Sequence, residues 1–125
     1  YKTQNNTMSR DEQLKIRWQN VVTILSEKFA DGETLDLDAI IYLIGVQEYG
    51  KIKTSYQKDE KVNLMHIAIC RLLEPYGYYQ YDYTDAEGWP HYTLKEALPA
   101  LKSGEQTLLM KEAIVHYFLE KELID

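Results

Sequence analysis

Residues Ala39-Ile40-Ile41-Tyr42-Leu43-Ile44-Gly45-Val46 are the longest apolar run in the chain, and their reading decides the fold. The run is far short of the roughly 20 residues a helix needs to cross a bilayer. It is apolar on every side, so it belongs in a core whichever element it forms. Its richness in isoleucine would suit a buried parallel strand. The flanks favour a helix. Asp36 and Asp38 precede the run, where carboxylates suit the positive end of a helix, and Gln47-Glu48 and then Gly50 follow it, where a C-terminal stop belongs. Gly45 costs a helix about 1 kcal/mol against alanine. Close approach of a second helix would account for its presence.

Toward the N-terminus, Ser9-Arg10-Asp11-Glu12 matches a capping box, with serine at the cap and glutamate three residues on. The helix it starts is predicted to run to about Phe29. Leu14, Trp18, Val21, Leu25 and Phe29 recur at helical steps along one face, and Gly32 suits the stop. Residues 1–9 are polar and read as a flexible segment before a single domain spanning 1–125.

Toward the C-terminus, Lys51 to Gln57 reads as loop. A third helix is expected from about Lys58 to Glu74, stopped by Pro75 and Gly77. Val62, Met65, His66, Ile69, Leu72 and Leu73 are its expected core face. Composition then changes: Tyr76 to Tyr92 carries Tyr76, Tyr78, Tyr79, Tyr81, Tyr83, Trp89 and Tyr92. Tyr79, Tyr81 and Tyr83 alternate with polar residues, and Thr84 to Gly88 is turn chemistry. A β-hairpin is expected, its second strand near Trp89 to Leu94 and confined by Pro90 to a sheet edge. Leu94 to Leu98 is expected to make one helical turn. Ser103-Gly104-Glu105-Gln106 is a second capping-box match, opening a helix to about Glu122. That helix has two apolar sides: Leu108, Val115, Leu119 and Leu123, and Met110, Ala113, Ile114, Tyr117 and Phe118. Two such sides imply deep burial or a subunit contact. The expected fold is mainly α, a compact bundle of about four helices with one small Tyr-rich hairpin between the third and last.

The 125 residues carry 14 basic and 20 acidic side chains, a net charge of −6. That disfavours general nucleic-acid or anionic-membrane binding. Lys51, Lys53 and Lys58 around Tyr56 are the one local basic cluster, read as a solvated loop in preference to an anion site. A single cysteine, Cys70, makes no internal disulfide. With no apolar signal-like stretch before Ser9, the expected location is cytoplasmic and no membrane partner is expected.

No Gly-rich phosphate loop, G-x-S-x-G elbow, H-E-x-x-H or paired C-x-x-C occurs, so no cofactor is expected. Three weak catalytic candidates remain: Glu48 at the end of the apolar helix, His66 and His91. His66 and Cys70, four apart, are neighbours on one helix and chemically suited to zinc, though a zinc site needs three or four protein ligands. The simpler reading makes Cys70 a buried small residue and His66 a satisfied core histidine. Tyr79, Tyr81, Trp89 and His91 are candidates for a ligand pocket or a protein-docking surface, because tyrosine and tryptophan combine a large face with a polar tip. The alternative is a hairpin whose tyrosines cover the helical core. His116 reads as structural or surface.

Three helices followed by a hairpin, over roughly residues 10–94, resemble a winged helix-turn-helix domain in element order. The resemblance would make the third helix the recognition helix. Lys58, Lys61 and Arg71 there are balanced by Asp59, Glu60 and Glu74, and the wing carries Asp82, Asp85 and Glu87 with no lysine or arginine. Such a wing would repel a phosphate backbone. The leading expectation is therefore a non-enzymatic protein-interaction or self-associating domain. A small-ligand or metal-dependent enzyme with a pocket between the second helix, the third helix and the hairpin comes second, and a winged-helix-like regulator third.

Overall fold

The computed structural model describes residues 9–51, 53 and 55–124. The expected flexible segment, apart from Ser9, lies outside the described residues. The element order is α1 (Arg10–Phe29), α2 (Leu37–Tyr49), α3 (Lys58–Leu73), a 3-10 turn (Glu74–Tyr76), β1 (Tyr79–Thr84), β2 (Pro90–Leu94) and α4 (Ser103–Glu120). The fold is mainly α with one antiparallel hairpin between the third and fourth helices. Among the described residues, no helix is long and apolar enough to cross a membrane. The chain divides into two compact units, one of residues 1–36 with 107–125 and the other of residues 37–106.

In the first unit, the Ser9 hydroxyl accepts the Glu12 N–H at 3.1 Å, as its capping box requires. α1 ends where the Ser26 carbonyl accepts the N–H groups of both Ala30 and Gly32, and Gly32 takes the left-handed φ of 88°. The buried Ser26 hydroxyl also accepts the Leu35 N–H at 3.0 Å, which holds the following loop. Val21, Val22 and Leu25 are buried, whereas Phe29, expected on the same face, is exposed. On α4, Ala113, Ile114, Val115, Tyr117 and Phe118 are buried, and Leu108 and Leu123 are exposed. The second of its two apolar sides is thus the more deeply covered, and of the first only Val115 is buried. The Lys111 ammonium stands 5.4 Å from the centre of the Trp18 ring. α4 begins one residue earlier than the sequence suggests: Lys102 is the cap, and its N–H donates to the Glu105 carboxylate at 3.0 Å.

The second unit is built on α2 and α3. Ile40, Ile41, Ile44 and Tyr49 of α2 are buried, as are Leu64, Ile67, Ala68, Cys70, Leu72 and Leu73 of α3. Each of the buried isoleucine and leucine side chains contributes about 1.5–3 kcal/mol relative to exposure. Gly45 sits at the crossing. A Cβ built there would lie 2.1 Å from the Leu64 carbonyl oxygen, so only glycine allows the two backbones to come this close. α2 stops at Gly50, whose N–H donates to the Val46 carbonyl with φ at 77°.

The buried face of α3 differs from the expected one. Val62 and His66 are exposed, and the core stripe is Leu64, Ile67 and Ala68. Apolar residues run nearly all round this helix, so periodicity admits two stripes, and the close crossing at Gly45 selects the one that includes Leu64. After α3, Gly77 turns the chain with φ at 88°.

β1 and β2 pair in the register Tyr79–Leu94, Gln80–Thr93 and Tyr81–Tyr92, then Tyr83–His91 and Thr84–Pro90. A β-bulge lies between Tyr81 and Tyr83. It breaks the expected period of two: Tyr81 meets Tyr92 edge-on, whereas Tyr83 stacks on the adjacent His91, so the two tyrosines lie on opposite faces. Residues 95–102 make no helical turn, contrary to expectation. The Tyr78 carbonyl instead accepts the N–H groups of Lys95 and Glu96, which ties this segment to the open end of the hairpin.

Candidate functional site: the hairpin and the cleft at its tip

Asp85 organises the tip of the hairpin. One carboxylate oxygen accepts the N–H groups of Glu87 at 2.9 Å and Trp89 at 3.0 Å, and the other lies 2.8 Å from Nε2 of His91. The His91 contact, the N–H of Trp89 and the N–H of Glu87 together hold the Asp85 carboxyl below its ordinary range. Gly88 supplies the left-handed φ of 92° that closes the turn. His91 is sandwiched in function: Asp85 bonds its edge, and Tyr83 stacks on its face with ring centres 4.6 Å apart and planes 4° from parallel.

Two ring contacts join the hairpin to the helices. Trp89 stacks on Tyr49 at the end of α2, 4.0 Å between centres. Tyr79 meets His66 of α3 edge-on at 6.3 Å. Lys51, just past α2, donates its ammonium to the Glu87 carbonyl at 2.6 Å and stands 5.7 Å from the centre of the Tyr49 ring. Lys53 pairs with Glu60 and stands 5.7 Å from the centre of the Tyr56 ring. The two lysines of the basic loop thus have partners within the chain.

Between α3 and the hairpin tip lies a cleft of about 340 Å³, lined by Asn63, His66, Ile67, Asp85, Glu87, Trp89, Pro90 and His91. Three sequence candidates, His66, Trp89 and His91, converge on it. Glu48 does not line it. Its carboxylate faces the Arg71 guanidinium at 3.5 Å, beside Tyr92. Burial, with Glu48 and Glu74 nearby, pushes the Tyr92 hydroxyl well above its usual range. Tyr81 does not line the cleft either. Its hydroxyl is 2.6 Å from that of Thr84, its backbone N–H donates to Glu74 at 2.8 Å, and its ring is 46% exposed.

His66 is exposed on α3, a correction to the core position expected for it, and its Nε2 lies 3.5 Å from Sγ of Cys70. Cys70 is buried, which pushes its thiol up to about 11 and keeps it neutral. Among the described residues, no three of histidine, cysteine, aspartate and glutamate gather as a metal site would require. His116 is on the exposed side of α4, 3.6 Å from Glu120.

Sequence reasoning missed Asn63, Asp85 and Glu87 as cleft residues. Asp85 had a legible signal: an aspartate opening a four-residue stretch that ends in glycine commonly bonds the backbone two residues on. No family model, curated protein or solved structure matches this chain.

Proposed function

We propose that this chain is a non-enzymatic protein-interaction domain whose contact surface is the tyrosine-rich hairpin. One observation carries the reading. The hairpin is anchored at Trp89 and Tyr79, yet Tyr81 and Tyr83 are 46% and 51% exposed on its two faces. Rings held on a fixed backbone lose little conformational freedom on binding, which is why tyrosine is favoured as an interface anchor. The reduced, buried Cys70 fits a cytoplasmic setting for such a domain.

The test is a photo-crosslinking residue at position 83, compared with the same residue at exposed position 15 of α1. A recurrent adduct from position 83 alone supports the reading. Its mass separates self-association, at twice the mass of the chain, from a different partner. Labelling that is equal at both positions would sink it.

A second reading is favoured by the convergence of His66 and His91 on one cleft. In that reading the cleft holds a small polar ligand or substrate, with the Asp85–His91 pair as its proton-handling group. It predicts thermal stabilisation by one class of metabolite, lost in His91→Ala.

A further inference from the structure

From Tyr76 to Leu94 the chain carries Asp82, Asp85 and Glu87 and no lysine or arginine. The same stretch presents Tyr76, Tyr81 and Tyr83 at 39%, 46% and 51% exposure. At its tip, the cleft joins acidic Asp85 and Glu87 to the Trp89 ring and to the hydrogen-bonding side chains of Asn63, His66 and His91. The tip already draws in one cation of the chain itself, since the Lys51 ammonium bonds the Glu87 carbonyl at 2.6 Å.

We propose that the hairpin and the cleft at its tip receive an arginine side chain of a basic partner protein. This rests on the interaction-domain reading and names the chemistry of its partner. A guanidinium is planar, stacks on tyrosine or tryptophan faces, and offers five N–H donors to carboxylate and amide acceptors. The hairpin supplies those two complements together, aromatic faces and acceptors of negative charge. Both oxygens of Asp85 are engaged by His91 and by the turn N–H groups, so exposed Glu87 is the principal charge partner and Asp85 fixes the shape of the site. A lysine ammonium would gain the charge term without the stacking, so arginine is the preferred cation. The surrounding acidic charge also speeds encounter with a basic surface and weakens with added salt.

The experiment titrates the full chain with a capped pentapeptide of alternating glycine and arginine. The matching lysine and glutamate peptides and free arginine amide are run alongside, each followed by amide chemical shifts. The arginine peptide is expected to shift amides of the turn and of the Asn63–Ile67 segment, to bind more tightly than the lysine peptide, and to weaken with salt. Glu87→Gln, which leaves the turn hydrogen bonds in place, is expected to weaken binding by about tenfold, and Tyr83→Ala by several-fold. Glu27→Gln on α1, an acid removed elsewhere, is expected to leave binding unchanged. Retained unfolding midpoints confirm that each variant is folded. The proposal is overturned if the arginine peptide leaves these amides unmoved, if the glutamate peptide moves them equally, or if Glu27→Gln matches Glu87→Gln. Free arginine amide binding as tightly as the peptide overturns the protein partner in favour of a small cation. A position-83 adduct obtained while the arginine peptide fails would overturn the arginine chemistry alone and leave the interaction domain standing.

Discussion

The α2–α3 pair and the hairpin belong to the same compact unit and are held in opposite ways. α2 and α3 meet through apolar side chains and a glycine-mediated backbone contact, with Ile40, Ile44, Leu64 and Leu72 almost wholly removed from water. The hairpin is held by specific directional contacts: the Asp85 bonds, the Trp89–Tyr49 stack and the Lys51 tether. Non-directional burial tolerates changes of pH and salt but not of shape. Directional contacts depend on geometry and on charge, and fail with the loss of a single partner. A rigid core therefore carries an exposed element that is free to present its rings.

The largest expected effect lies at Gly45. Gly45→Ala places a methyl against the Leu64 carbonyl oxygen, which is backbone and cannot swing aside. The two helices must separate, at a cost of about 3 kcal/mol, read as a fall in unfolding midpoint of roughly 10 °C. A shift of only a degree or two would show that the pair yields easily and would erase the contrast with the hairpin.

Next comes Trp89→Ala, which removes the stack on Tyr49. A loss of about 2 kcal/mol is expected. Hydrogen exchange should show it as faster opening of β1 and β2 while α2 and α3 keep their protection. Equal acceleration in the helices would mean that the hairpin is part of the core unit and not an element set upon it.

Acid separates the regions by sign. The Asp85 carboxyl is held below its ordinary range in the folded chain, so its stabilising contribution is present above the unfolded value and is lost as pH falls through the folded one. Below about pH 4 the turn amides of Glu87 and Trp89 should lose protection before those of α2 and α3 do. Asp85→Asn should remove this difference. Simultaneous loss in both regions would show that the turn bonds do not govern the hairpin separately.

The smallest effect on stability is expected from Tyr83→Ala, within about 0.5 kcal/mol of wild type for a ring half open to solvent. Binding of the arginine peptide should nonetheless fall several-fold. A variant that unfolds readily would assign Tyr83 to the fold and not to the surface.

Much of this was legible from residues close in sequence. The Ser9–Glu12 cap, the stop at Gly50, the end of α3 before Pro75 and the Thr84–Gly88 turn all rest on backbone groups satisfied within five residues. The bulge between Tyr81 and Tyr83 was not legible, because alternation of tyrosine with polar residues is the same with or without an extra residue. Nor was the fate of Glu48. Sequence distance says nothing of whether it meets His66 and His91 or, as it does, Arg71.

By itself the sequence determined four helices, a hairpin between the third and fourth, and the need for a small residue at position 45. These follow from capping, hydrophobic period and turn chemistry, which act within a few residues along the chain. Tertiary structure alone decided which stripe of α3 is buried, since its apolar residues permit two and the Leu64 backbone meets Gly45 on only one. That choice turned His66 outward into the cleft with Trp89 and His91. The candidate site is thus a consequence of how closely two helices can pack, a distance that no local pattern of residues encodes.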